Sequence, residues 1–159
     1  LLGGKLDYDV KHTVHVLKEL LDEDKLRLGE VKMRVTYHDP CHLGRHMDVY
    51  EEPRAIVRSI PGIDLVEMEW NRKESRCCGA GGAFRGAFKD VSLAIAKERI
   101  RDALEVGADA IVTPCPFCIL NLGDAAKEMD SPLKVYDLTE LVYMSMKKTE
   151  ISEEKESEN

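Results

Sequence analysis

"ADAIVTPCPFC", residues 108–118, is the stretch that decides the fold. Ala110, Ile111 and Val112 sit in a short, nearly continuous apolar run, the pattern of a strand covered on both faces rather than one with a wet side. Cys115 stands just beyond it. Cys118 then falls in the first turn of the segment "PFCILNLGDAAKEM", where Pro116 costs nothing because a first-turn N–H has no helical partner. A strand buried on both faces belongs to a parallel sheet, so the neighbouring segments should alternate strand with helix.

They do. Upstream, "KMRVTYHDPCH" alternates Met33, Val35 and Tyr37 and stops at Asp39-Pro40, with Cys41 next. "EEPRAIVRSIPG" reads as a short helix with Pro53 in its first turn and Pro61-Gly62 at its end. "IDLVEMEW" is a second strand and leads into "RCCGAGGAF", residues 76–84. Past those glycines Phe84, Phe88, Val91 and Ile95 recur at helical spacing, running on through Ile100 and Leu104 to Gly107, as one long helix or two abutting ones. Downstream, "LKVYDL" gives a fourth strand and "TELVYMSM" a closing helix capped by Asp137 or Thr139. Ahead of everything, Val10, Val14, Leu17 and Leu21 mark an amphipathic helix within residues 1–27. The expected fold class is α/β: a Rossmann-like open sheet of about four parallel strands flanked by helices. One domain over residues 1–146 is expected, followed by a disordered acidic tail over 147–159, "KKTEISEEKESEN".

In such a sheet the loops leaving the carboxyl ends of the strands open on one edge, where ligands bind. Cys41 follows the first strand, Cys77 and Cys78 the second, Cys115 and Cys118 the third. The pattern C-x35-C-C-x36-C-x2-C therefore converges at the carboxyl edge although it spans 78 positions of sequence. Adjacent cysteines rarely bridge each other, because Cα atoms one peptide apart sit below the usual ~5.5 Å bridging distance. Five thiols cannot pair off completely, and no secretion signal is visible, so metal or redox chemistry is favoured over a disulfide framework. Thiolates at a strand-to-helix turn suit zinc, an iron–sulfur cluster or thiol–disulfide exchange. Structural zinc and a common cubane each take four ligands, so a fifth sulfur implies an unusual cluster or a spare reactive thiol.

The order "HDPCH", "CCGAGG", "CPFC" resembles the cysteine-rich CCG domain of heterodisulfide reductases and related iron–sulfur oxidoreductases, over roughly residues 8 to 145 and at all five cysteines. The resemblance implies that Cys41, Cys77, Cys78, Cys115 and Cys118 hold a noncubane 4Fe–4S cluster that passes electrons to a disulfide or related acceptor. It further implies a second CCG domain and a ferredoxin-like module or other electron-transfer subunits as partners. Some sites of the wider family hold zinc, which leaves a zinc-stabilised interaction module as the alternative. This chain looks like the second CCG copy of a longer polypeptide, in keeping with its start at Leu1-Leu2.

Around those ligands, Gly79, Gly81 and Gly82 are expected to let the backbone pass close to the cluster and donate N–H groups to it. They do not form a nucleotide loop: "GAGG" fails G-x-G-x-x-G at Phe84. His42, beside Cys41, is the candidate to bond a cluster sulfur or pass a proton to a leaving thiolate. His38 and His46 read as ordinary surface or supporting histidines, Asp39-Pro40 as the device that aims Cys41, and Arg45 and Arg85 as exposed cations near the mouth. A net charge of -7 argues against nucleic acid, and no apolar run approaches the ~20 residues of a membrane span. A cytoplasmic chain, able to dock to a membrane complex, is expected.

Overall fold

The structure is a computed structural model that describes the backbone of residues 7–157 and the side chains of residues 7–147. Its elements are α1 (Thr13–Asp22), β1 (Met33–Tyr37), a π-helical turn (His42–His46), α2 (Glu51–Ser59), β2 (Ile63–Val66), a 3-10 turn (Arg72–Glu74), α3 (Phe84–Ala87), α4 (Lys89–Glu105), β3 (Ala110–Thr113), α5 (Pro116–Glu128), β4 (Lys134–Asp137) and α6 (Leu138–Ser157). The four strands pair in the order β2-β1-β3-β4, all parallel. The α/β reading of the sequence is thereby met.

β3 explains why the sheet needs helices on both sides. All four of its residues are buried. Ala110 and Val112 join a core with Val14 of α1, Ile56 and Val57 of α2, and Leu138 and Leu141 of α6. Ile111 points the other way, into a core with Leu93, Ala96 and Ile100 of α4 and Leu122 and Ala125 of α5. Period-two alternation thus feeds two separate cores, and full burial of such aliphatic side chains contributes about 1.5–3 kcal/mol each before entropy is counted.

Three helices differ from the sequence reading. α1 begins only at Thr13, because the His12 side chain accepts the Val14 N–H at 3.2 Å and sets the start; Val10 is left 79% exposed, and residues 1–6 lie outside the described ones. The apolar stripe from Phe84 to Ile95 is not the buried face. Phe88 breaks the helix (φ −136°, ψ 60°) and resets its phase, so Phe88 and Val91 are 58% and 53% exposed while Ser92, Leu93, Ala96, Arg99 and Ile100 turn inward. Finally, α6 runs past Lys147 to Ser157, through the segment expected to be a tail. Extending an existing helix is far cheaper than nucleating one. Residues 158–159 are not described. Among the described residues no helix is long and apolar enough to cross a membrane.

The strand order reverses between β1 and β3, and in open α/β sheets the crevice at such a reversal is the ligand site. Cys41 and Cys115 leave these two strands on the same edge.

Candidate metal centre

Each cysteine is aimed by a different local device. Cys41 follows a loop clamped by charge: Arg54, fully buried, donates to both Asp39 oxygens at 2.6 and 2.9 Å and to both Glu67 oxygens at 2.7 and 3.0 Å. Asp39 also accepts the Arg72 N–H at 2.8 Å, tying the end of β1 to the segment after β2. These two carboxylates, acting against burial, raise the Arg54 pKa. Asp39-Pro40 therefore serves the role expected of it.

The turn carrying Cys77 and Cys78 is held from behind by two buried polar side chains. Asn121 of α5 donates to the Cys78 carbonyl at 2.6 Å, and the Ser92 hydroxyl of α4 donates to the Gly79 carbonyl at 2.8 Å. Gly79 adopts φ +84°, and a Cβ there would stand 2.6 Å from the Ser92 carbonyl oxygen. Its N–H donates to the Cys77 sulfur at 3.3 Å. Gly81 and Gly82 differ from it: they line the pocket, and a Cβ on either would meet nothing within 4 Å. The three glycines are thus unlike in purpose. Gly79 admits helix α4, whereas the other two border open space at the mouth.

Cys115 caps α5 and Cys118 lies in its first turn, after Pro116. A hydrogen bond from Cys118, and the backbone N–H groups of Cys118 and Phe117 against the penalty of burial, bring the Cys115 thiol down to about 6. The Cys118 and Cys78 sulfurs are 3.2 Å apart. Hydrogen bonds from Cys118, Cys77 and His38 and from the Ala80 N–H hold Cys78 far below the ordinary thiol range, while the same contacts and burial push Cys77 and Cys118 up.

All five cysteines line one pocket of about 220 Å³. None is in a disulfide; Cys78 and Cys118 are buried, Cys41 and Cys115 half-buried, and Cys77 exposed. His42 lines the same pocket from its exposed side, its ring 5.2 Å from that of His46. Arg45 also lines it, but Nε and Nη2 are tied to the Lys73 and Ser75 carbonyls. Arg85 is turned away from the mouth: it pairs with Asp124 at 2.5 Å and donates to Asn121 at 2.6 Å.

His38, read as a surface or a supporting histidine, is not at the surface. It is 1% exposed, and its ring nitrogen and the Cys78 and Cys118 sulfurs all lie within 4.8 Å of one another. Burial, partly offset by Cys78, lowers its pKa. Its partner is Arg99, which is completely buried. The sequence reading passed over Ser92, Arg99 and Asn121 as supports. The signal for two of them was present: Ser92 and Arg99 are seven apart on α4, in phase with Leu93, Ala96 and Ile100.

The sequence model of the cysteine-rich domain named CCG matches residues 35–123, which includes every cysteine. The chain is 41% identical over 143 residues to a component of the dihydromethanophenazine:CoB–CoM heterodisulfide reductase of Methanosarcina barkeri, covering 89% of this chain and 35% of that protein. It is 40% identical over 141 residues to the probable iron-sulfur-binding oxidoreductase FadF of Bacillus subtilis, 87% of this chain and 20% of the relative. A component of the fumarate reductase (CoM/CoB) of Methanothermobacter marburgensis matches at 39% over 141 residues, 87% and 28% respectively. The chain therefore spans between a fifth and about a third of the length of these curated relatives. On the family match, carried by cysteines that meet at one sheet edge, this chain belongs to the CCG cysteine-rich domain family.

Proposed function

We propose that this chain is an iron–sulfur oxidoreductase domain of the heterodisulfide reductase type, in which Cys41, Cys77, Cys78, Cys115 and Cys118 hold a noncubane 4Fe–4S cluster. The observation that carries this reading is the convergence of five unbridged cysteines on one pocket at the sheet's reversal point. The donor set fits the group: soft sulfurs, two of them with lowered pKa, with open space beside Gly81 and Gly82. When bound, the cluster supplies single electrons to an acceptor at the mouth, a disulfide or a related group. The chain's own part is to aim the sulfurs, to donate N–H groups to them from Gly79, Ala80, Phe117 and Cys118, and to keep His42 at the exposed rim as a proton carrier for a departing thiolate. Its setting is cytoplasmic, and a second CCG domain and a ferredoxin-like module or other electron-transfer subunits are its partners, in keeping with the greater length of the relatives.

A second reading has its own support. His38, Cys78 and Cys118 cluster as zinc ligands do, which favours a zinc-stabilised interaction module. Anaerobic purification separates the two. Brown protein with iron and acid-labile sulfide, lost on Cys→Ser substitution at any of the five positions, supports the cluster. Colourless protein with one zinc per chain refutes it.

A further inference from the structure

The imidazole of His38 lies between two kinds of neighbour. On one side are the Cys78 and Cys118 sulfurs, within 4.8 Å. On the other, Arg99 Nε donates to His38 Nδ1 at 3.1 Å. Arg99 is anchored in turn: Nη1 donates to Asp102 at 3.1 Å, and the second Asp102 oxygen accepts from Arg76 at 2.7 Å. Position alone makes His38 a metal ligand. Its hydrogen bonds make it something else.

An imidazole ligates through a lone pair, and a ligating histidine usually donates its other N–H to a carboxylate, carbonyl or water. Here the outer partner is a guanidinium, which only donates. A neutral ring whose Nδ1 accepts from Arg99 carries its proton on Nε2, so that nitrogen has no lone pair to give a metal. A cation bonded to the outer nitrogen would also repel a dication held by the inner one. We propose that His38 is a hydrogen-bond donor to the Cys78 sulfur and not a metal ligand, with Arg99 as the positioning residue that fixes the required tautomer. Through Asp102, Arg99 and His38, a buried chain of three side chains delivers one N–H to a sulfur at the floor of the pocket. Hydrogen bonds to ligand sulfurs stabilise the more negative, reduced state and raise the reduction potential. That consequence rests on the cluster reading above; the tautomer does not.

The test begins with the wild-type chain free of metal. Long-range ¹H–¹⁵N correlation of the imidazoles is expected to show His38 protonated at Nε2 alone, and Arg99→Met to lose that preference. An Nδ1–H tautomer or an imidazolium in the wild type overturns the proposal, whatever metal the protein binds. In anaerobic cluster-loaded protein, His38→Leu should shift the potential negative with iron content unchanged. His38→Gln, which keeps an N–H donor, should restore it, and Arg99→Met combined with His38→Leu should move it no further than His38→Leu alone. Iron loss in His38→Leu equal to that of a Cys→Ser variant makes His38 a ligand and refutes the idea. An intact cluster with unchanged potential refutes it while leaving the function standing. Wild-type protein with zinc and no sulfide defeats the function, and the tautomer then still decides this point.

Discussion

Replacing Gly79, Gly81 and Gly82 by alanine one at a time separates backbone conformation from space. Gly79 sits at φ +84°, and its added Cβ would lie 2.6 Å from the Ser92 carbonyl oxygen and 3.1 Å from the Ile95 Cβ. The left-handed conformation costs a residue with a Cβ about 1–2 kcal/mol, and forcing an atom into packed backbone adds about 1–3 kcal/mol. Gly79→Ala should therefore lose about 2–5 kcal/mol, a large part of a total stability of about 5–15 kcal/mol. Gly82, at φ +60° with open space around it, should lose only the conformational share, about 1–2 kcal/mol. Gly81 has neither a positive φ nor a neighbour within 4 Å, so Gly81→Ala should be neutral or stabilising by up to about 1 kcal/mol through the unfolded chain. Urea denaturation of the metal-free protein reads the series; with a slope near 2 kcal/mol per molar, Gly79→Ala should move the midpoint down by about 1–2.5 M. If Gly79→Ala and Gly82→Ala fall within about half a kcal/mol of each other, contact between the cysteine turn and α4 is not what demands glycine, and the account of Gly79 is wrong.

Arg54→Ala leaves Asp39 buried beside no cation and should cost about 3–5 kcal/mol in denaturation experiments, with metal loading falling as the Cys41 loop loses its clamp. At the start of α6, Asp137 accepts the Thr139 N–H at 2.7 Å while Glu140 accepts the Asp137 N–H at 2.8 Å; Asp137→Ala should cost about 1 kcal/mol by thermal melting, and Glu140→Gln much less. His12, held below its ordinary pKa by burial and then by His15, caps α1 only while its Nδ1 is unprotonated. Its folded-state pKa is depressed, so the unfolded chain binds the proton more readily and the cap's contribution is complete above the unfolded value of about 6.5 and lost as pH falls below it. Hydrogen exchange at the Val14 amide, corrected for intrinsic rate, should accelerate across that window and lose the pH dependence in His12→Asn.

The sheet was legible because its strands carry their own evidence. The run around Ile111 has too few residues for a helix and no polar side, and each other strand ends at a proline, an aspartate or a cysteine turn. Convergence of the cysteines followed from topology alone, since strand direction decides which edge a loop leaves. What stayed hidden was the phase of α4. Counting aliphatic and aromatic side chains selects Phe84, Phe88, Val91 and Ile95, but the kink at Phe88 rotates the next helix, and the buried stripe sets Ser92 and Arg99 among Leu93, Ala96 and Ile100. Polar residues on a buried face are invisible to a hydrophobic count. They mark where a helix serves a neighbouring site rather than the core. His38 stayed undecided between surface and support for the same reason: its partner Arg99 is sixty-one residues away in sequence.

The pocket brings five sulfurs together, and the way it does so bears on what it binds. Five thiolates lining one partly buried pocket would repel one another strongly. The Cys118 and Cys78 sulfurs are 3.2 Å apart, and contacts among Cys77, Cys78, Cys115 and Cys118 lower the pKa of Cys78 and Cys115 while raising that of Cys77 and Cys118. Backbone N–H groups from the first turn of α5 and from the Gly79 turn supply the remaining positive ends. Cysteine ligates a metal as thiolate, so loading any thiophilic centre couples to proton release and weakens in acid. A pocket that arranges its own sulfurs in advance spares the incoming group that ordering cost, which is the physical reason to expect these residues to act as one ligand set instead of as five independent thiols.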